Sequence, residues 1–144
     1  VWKKGSTPFD APVKEQIMKF VVLIGRILFS WIFICAGISH FFPQSIAYAN
    51  SHGVPMAMVL CPLAGVLALL GGISILLGYK ARIGAWLIVI FLVPVTLVMH
   101  DFWNVEDPMA AKLQYIMFMK NLTMVGAALI VAYFGSGPMS LSKK

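Results

Sequence analysis

The chain has 144 residues, 60% of them hydrophobic and only 11% charged, with a mean hydropathy of +0.90. Soluble domains run about 45–50% apolar and about 25% charged, which excludes a water-soluble globule, and the length suits one compact bundle with no second domain. The net charge of +6 does not mark a nucleic-acid binder, because Lys and Arg lie between and outside the apolar runs and no basic stripe interleaves with stacking aromatics.

A bilayer core of about 30 Å needs about 20 apolar residues in a helix. A polar N-terminal segment, 1–19, leads into a first apolar run over 20–42. No A-x-A-like site follows that run before the next loop, so it is expected to stay as a transmembrane helix rather than leave as a signal peptide. A loop over 43–55 precedes a second run, 56–78, in which Ala64, Ala68 and Gly72 recur every fourth residue and offer a face for close backbone approach. The third run covers 81–99; Pro62 and Pro94 are expected to bend the second and third helices. The last apolar run is Tyr115–Phe134, and Asp107-Pro108 reads as an N-cap with proline at the first helical position, so this helix is expected over 108–134. A tail, 135–144, closes the chain. The runs are apolar around their whole circumference, and backbone groups in hydrocarbon pair internally in helices. The predicted fold class is therefore all-α: an integral membrane four-helix bundle.

Orientation follows from Lys and Arg in the flanks. Lys3, Lys4, Lys14 and Lys19 precede the first span, Lys80 and Arg82 lie between the second and third, and Lys143 and Lys144 follow the fourth. The 43–55 loop has neither residue type, and the 101–114 loop sets Lys112 against Asp101, Glu106 and Asp107. Both termini and the 79–82 turn are thus expected in the cytoplasm, with aromatics such as Tyr48, Phe102 and Trp103 in the outer interfacial belt and Tyr79, Trp86 and Tyr133 in the inner one.

The polar residues inside these runs need an explanation. Arg26 falls about six residues into the first span, roughly 9 Å below the cytoplasmic boundary at 1.5 Å per residue. Lys120 falls about fourteen residues before Phe134, in the outer third of the core by the same rise. Both side chains can snorkel toward their nearer interface. Alternatively each faces the interior and has a partner, since an intramembrane charge costs at least about 2.5–3.5 kcal/mol. Asp101 is the expected partner of Lys120, and His40, His100 and Asn121 lie at similar depth; together His40, His100, Asp101, Lys120 and Asn121 form the candidate polar cluster. For Arg26 the candidates are Ser136, Ser140, backbone carbonyls, or an acidic group on another subunit or a ligand.

His40 and His100 fall at matching depth on different helices, a geometry that a bis-imidazole haem uses, but their spacing matches no motif. His52 is expected in a solvent-exposed loop. Cys35 and Cys61 also lie at nearly matching depth; a disulfide or redox pair and two free, buried thiols are the alternatives, the second being the ordinary behaviour of such residues. No CxxC, P-loop, dinucleotide fingerprint or nucleophile elbow occurs. No metal and no cofactor of the chain's own is expected; a quinone is the one candidate ligand.

An Arg in the first helix, "AGISHFF" at its end, "LGYKAR" between the second and third, "HDFW", "KNL" and a closing "GSGPMSLS" resemble, in this order, the DoxX family over nearly the whole chain. The resemblance implies a four-helix bacterial inner (cytoplasmic) membrane protein linked to quinone-coupled oxidoreductases, such as the membrane part of thiosulfate:quinone oxidoreductase, or to membrane complexes handling redox stress. Family members often end the last motif on an acidic residue, where this chain has Ser142 and Lys143; an Arg26–carboxylate pair is not carried over.

Three functions are expected to compete. The first is an accessory or anchoring subunit of a respiratory or redox membrane complex, without a redox centre of its own. The second is a quinone-reactive subunit in which His100, Asp101 and Lys120 hydrogen-bond a quinone carbonyl and relay protons. The third is a small anion or lipid transporter using Arg26 and Lys120, weakened by the lack of an inverted repeat. The expected partners are membrane lipids and other subunits of a complex or further copies of the chain.

Overall fold

The computed structural model describes residues 10–142, and within them the protein is all-helical with no strand. Five α-helices and one 3-10 turn follow in order: α1 Asp10–Ser39, α2 Pro43–Ser51, α3 Ala57–Leu77, α4 Ala81–Met99, the turn Phe102–Asn104, and α5 Pro108–Phe134. Four of them (α1, α3, α4 and α5) are long and apolar enough to cross a membrane. Lys3, Lys4, Lys143 and Lys144, which enter the orientation argument, lie outside the described residues.

α1 starts ten residues before the expected span. Its 30 residues reach about 45 Å at 1.5 Å per residue, more than a hydrocarbon core requires. Its polar first turns stand outside that core, where Glu15 and Lys19 form an exposed i,i+4 ion pair at 2.8 Å. The 43–55 loop is a correction: most of it folds as α2. Phe42 is extended and Pro43 opens the helix, where a missing N–H costs nothing. His52 lies in the turn that closes α2, partly exposed, with Nδ1 at 3.0 Å from the Tyr48 carbonyl and its ring 4.2 Å from that of Tyr48.

α3 stops at a Schellman turn. The Gly78 N–H donates to Ile75 O and the Tyr79 N–H to Ser74 O, with Gly78 at φ +65°. At the start of α5 the Asp107 carboxylate accepts from the Ala110 N–H at 2.7 Å, a side-chain cap on an otherwise unpaired donor.

The helices pack in chain order, α1 on α3, α3 on α4 and α4 on α5, while α2 lies on α3. Glycines allow the two tightest crossings. A Cβ on Gly37 would stand 2.8 Å from Gly65 O, and one on Gly71 would stand 2.8 Å from Gly84 O. α3 thus touches α1 with one face and α4 with another, the close approach that small residues permit where lipid supplies no hydrophobic drive. Between the helices Phe33, Ala68, Ile75, Ala85, Ile88 and Ala128 form a buried core. α5 gives the least of itself to that core, only Asn121 and Ala128 being buried.

The segment after α5 folds back across the α3–α4 turn. Leu141 N–H donates to Leu77 O, Ser142 N–H to Gly78 O, and Lys80 N–H to Ser142 Oγ, at 3.0, 3.2 and 3.0 Å. The bundle therefore has a tail end, which includes Arg26 and the 78–80 turn, and an opposite, histidine end.

Candidate functional site

The expected five-residue cluster does not assemble. Lys120 and Asp101 form no ion pair, and the pairing is corrected by helical geometry. Asn121 is buried at 4% exposure, and its neighbour Lys120, about 100° round the helix, points outward. Lys120 Nζ meets only the Met117 sulfur, at 3.3 Å. Asp101 accepts instead from Asn104 Nδ2 at 2.9 Å and braces the 3-10 turn. Phe102, in that turn, packs its ring 5.1 Å from Trp103, 5.2 Å from Tyr115 and 5.5 Å from Phe118. Phe102 and Trp103 of "HDFW" thus dock the α4–α5 connection onto α5, while Asp101 holds the turn itself.

His40 and His100 have a different setting: both line a cavity of about 690 Å³ at the histidine end, walled by α2, α3 and α4. Most of its wall is apolar, from Ala64, Leu67, Phe91 and Val95 among others; Gln44, Ser45, Tyr48 and the two imidazoles supply the polar groups. His40 Nδ1 donates to Ala36 O at 2.6 Å, and His100 Nδ1 donates to Gln114 Oε1 at 2.7 Å. A carbonyl oxygen only accepts, so each neutral ring carries its proton on Nδ1 and keeps Nε2 as an acceptor. His40 is further held edge-on to Phe91, with ring centroids 5.5 Å apart.

Cys61 is the third chemically distinctive residue on this wall, its thiol 3.4 Å from His40 O. Both cysteines are free; Cys35 is exposed on the outer face of α1 and does not meet Cys61. α2 and Gln114 belong to the site without being foreseeable from the apolar runs. Proline at 43 followed by helix-tolerant residues is the one available signal for α2; nothing local marks Gln114 as the partner of a residue fourteen positions earlier.

Arg26 lies at the other end, 6% exposed. Its guanidinium donates to Ser136 O at 3.1 Å and to Met139 O at 2.5 Å, so backbone carbonyls are the partners among those expected. Arg26 Nε and Ser30 Oγ, one turn deeper on α1, are buried without a hydrogen-bond partner. No group of three or more potential metal ligands occurs among the described residues.

A bundle of four spanning helices with an apolar, histidine-lined cavity at one end defines a polytopic membrane protein rather than a soluble enzyme. The DoxX family profile matches residues 21–101. The inner membrane protein YphA of Escherichia coli (strain K12) is 31% identical over 126 residues, 86% of this chain and 89% of that relative. The inner membrane protein YqjF of the same organism is 32% identical over 124 residues, 85% of this chain and 89% of that relative. No solved structure matches the chain. This chain belongs to the DoxX family and is a multi-pass inner-membrane protein.

Proposed function

We propose that this DoxX-family protein is a quinone-reactive subunit of a membrane redox complex, holding the head of a quinone-type molecule in the cavity at the histidine end. The observation that carries this reading is the cavity: about 690 Å³, apolar, with two imidazoles on its wall. Small-molecule sites run about 300–1,000 Å³ and combine an apolar lining with few polar groups. The tautomers add chemistry. Neutral His40 and His100 each keep an acceptor nitrogen for a hydroquinone hydroxyl and, once protonated, a donor for a quinone oxygen. Asp101 and Lys120 take no part in this version of the reading. By the distribution of Lys and Arg, the tail end with Lys80 and Arg82 faces the cytoplasm and the cavity faces the outer leaflet.

The test is photolabelling of the full chain in native membranes with a short-chain azidoquinone. Labelling is expected within 40–54 or 94–100 and is expected to fall at least tenfold in Ala64→Phe, which fills the cavity. Labelling that does not saturate, or that Ala64→Phe leaves unchanged, refutes the reading.

A second reading, an accessory or anchoring subunit without a redox centre of its own, is favoured by α5, whose outer face touches nothing in the bundle. The transporter alternative draws no support from the geometry: carbonyls cap Arg26 at one end, and Lys120 lies on the outside of the bundle.

A further inference from the structure

The end of the bundle opposite the histidines holds a second cavity, of about 600 Å³. Lys80, Arg82 and Ile83 wall it from the start of α4, and Phe134, Gly135 and Ser142 from the end of α5 and the segment after it. The backbone latch of that segment fixes its shape. Ser142 Oγ accepts from the Lys80 N–H at 3.0 Å, which leaves the serine's own O–H to donate. Arg82 lies along the same segment, its Nε 3.4 Å from the place a Cβ on Gly135 would take.

Charge, depth and shape together select the occupant. Two cations and a hydroxyl donor line one recess, and among the described residues neither cation forms an ion pair; the pair that does occur joins Glu15 to Lys19. Guanidinium and ammonium groups hold phosphate through charge-assisted hydrogen bonds. Ala81 opens α4 and Phe134 closes α5, so the recess lies where two spans reach the interface, at the level of lipid headgroups. Its rim is apolar: Ile83 and Phe134 are 58% and 72% exposed. A phosphate ion from solution leaves that rim bare, whereas a phospholipid brings chains to cover it. A zwitterionic headgroup carries an ammonium of its own toward Lys80 and Arg82, so the charge balance favours an anionic one. Basic recesses between spans on the cytoplasmic side take such headgroups, and the distribution of Lys and Arg places this end there.

We infer that this recess binds an anionic phospholipid of the inner leaflet. Arg82 and Lys80 hold its phosphate, Ser142 Oγ donates to it, and Ile83 and Phe134 lie against the acyl chains. The site is separate from the histidine-lined cavity, and the inference stands or falls independently of the quinone reading.

The experiment reconstitutes the full chain in phosphatidylcholine vesicles doped with a phosphatidylglycerol analogue that carries a photoreactive group near its head, and maps the adducts. Labelling is expected to saturate and to fall within 80–83 or 134–142. A matching phosphatidylcholine analogue is expected to label these residues at least fivefold less; equal labelling overturns the inference. Inorganic phosphate in large excess is expected to leave the labelling unchanged. Loss of labelling under phosphate shows a site for the free ion and overturns the lipid assignment. Both comparisons use the unaltered chain, so neither depends on a variant that folds. Arg82→Gln combined with Lys80→Gln is expected to cut the labelling about tenfold or more, and Arg82→Lys to keep it within threefold. Lys112→Gln removes a cation near the start of α5, at the histidine end, and is expected to change nothing. Labelling that survives in the double variant, or that Lys112→Gln lowers equally, refutes the site.

Discussion

Gly78→Ala is expected to release the C-terminal segment from the bundle. The glycine holds φ +65°, a conformation that costs an L-residue roughly 1–2 kcal/mol. Space is the larger problem: a Cβ there would overlap both Ser140 Cβ and the Arg26 guanidinium, and it would stand 2.9 Å from the Ser140 Cα. Backbone on one side and a sealed arginine on the other leave displacement of the segment as the way out. That displacement gives up the three hydrogen bonds of the latch itself, Leu141 N–H to Leu77 O, Ser142 N–H to Gly78 O, and Lys80 N–H to Ser142 Oγ. At about 0.5–1.5 kcal/mol net for each bond, the three together are worth roughly 1.5–4.5 kcal/mol. The two Arg26 bonds to the segment add about 1.5–3 kcal/mol each, but an overlap this close has to be relieved by a shift, and the latch yields. Arg26 then loses both carbonyl partners, since each belongs to the released segment.

The assay is maleimide labelling of Ser140→Cys, with Cys35 and Cys61 replaced by serine, in open membrane vesicles. Labelling is expected to be at least tenfold faster with Gly78→Ala. Gly53→Ala is the control: it has a similar φ of +74° but open space around it, so it carries the backbone strain without the overlap. Unchanged labelling in Gly78→Ala, or equal acceleration in Gly53→Ala, refutes the reasoning.

In Gly71→Leu the new side chain runs into Ile88 Cδ1 at 2.7 Å and Gly84 O at 2.8 Å; overpacking of this type costs about 1–3 kcal/mol. Unfolding in mixed micelles should show that loss, and Gly126→Leu, which enters open space, should show none. Asp107→Ala removes the cap on α5 and is expected to cost about 1 kcal/mol, read as faster proteolysis of the 101–107 connection with the spans intact. A short-chain quinone is expected to slow alkylation of Cys61, on the cavity wall, by a lipophilic maleimide, and to leave Cys35, on the outer face of α1, unaffected; equal protection of both thiols, or of neither, counts against the cavity.

Much of the fold is legible residue by residue because its causes are local. The spans reflect runs of apolar side chains, and Asp107-Pro108 states its cap within three residues. The 43–55 segment reads as a loop because α2 is short and has little apolar periodicity of its own; it gains its place by resting on α3. The polar cluster fails for a different reason. Matching depth suggests proximity, but depth is one coordinate and the direction around the helix axis is another. Lys120 and Asn121 differ by about 100°, enough to put one in the core and its neighbour on the outside.

Sequence alone determined that this chain spans a membrane four times, which ends of its helices are polar, and to which family it belongs. These follow from transfer free energies and local backbone rules, which act through neighbours in the chain. Tertiary structure alone decided that His40 and His100 share a cavity while Asp101 and Lys120 part company. It also decided that carbonyls some 110 residues away seal Arg26. The physical reason is the same in each case: these are contacts between helices, set by how glycine crossings rotate and space them, and no local stretch of residues encodes that rotation.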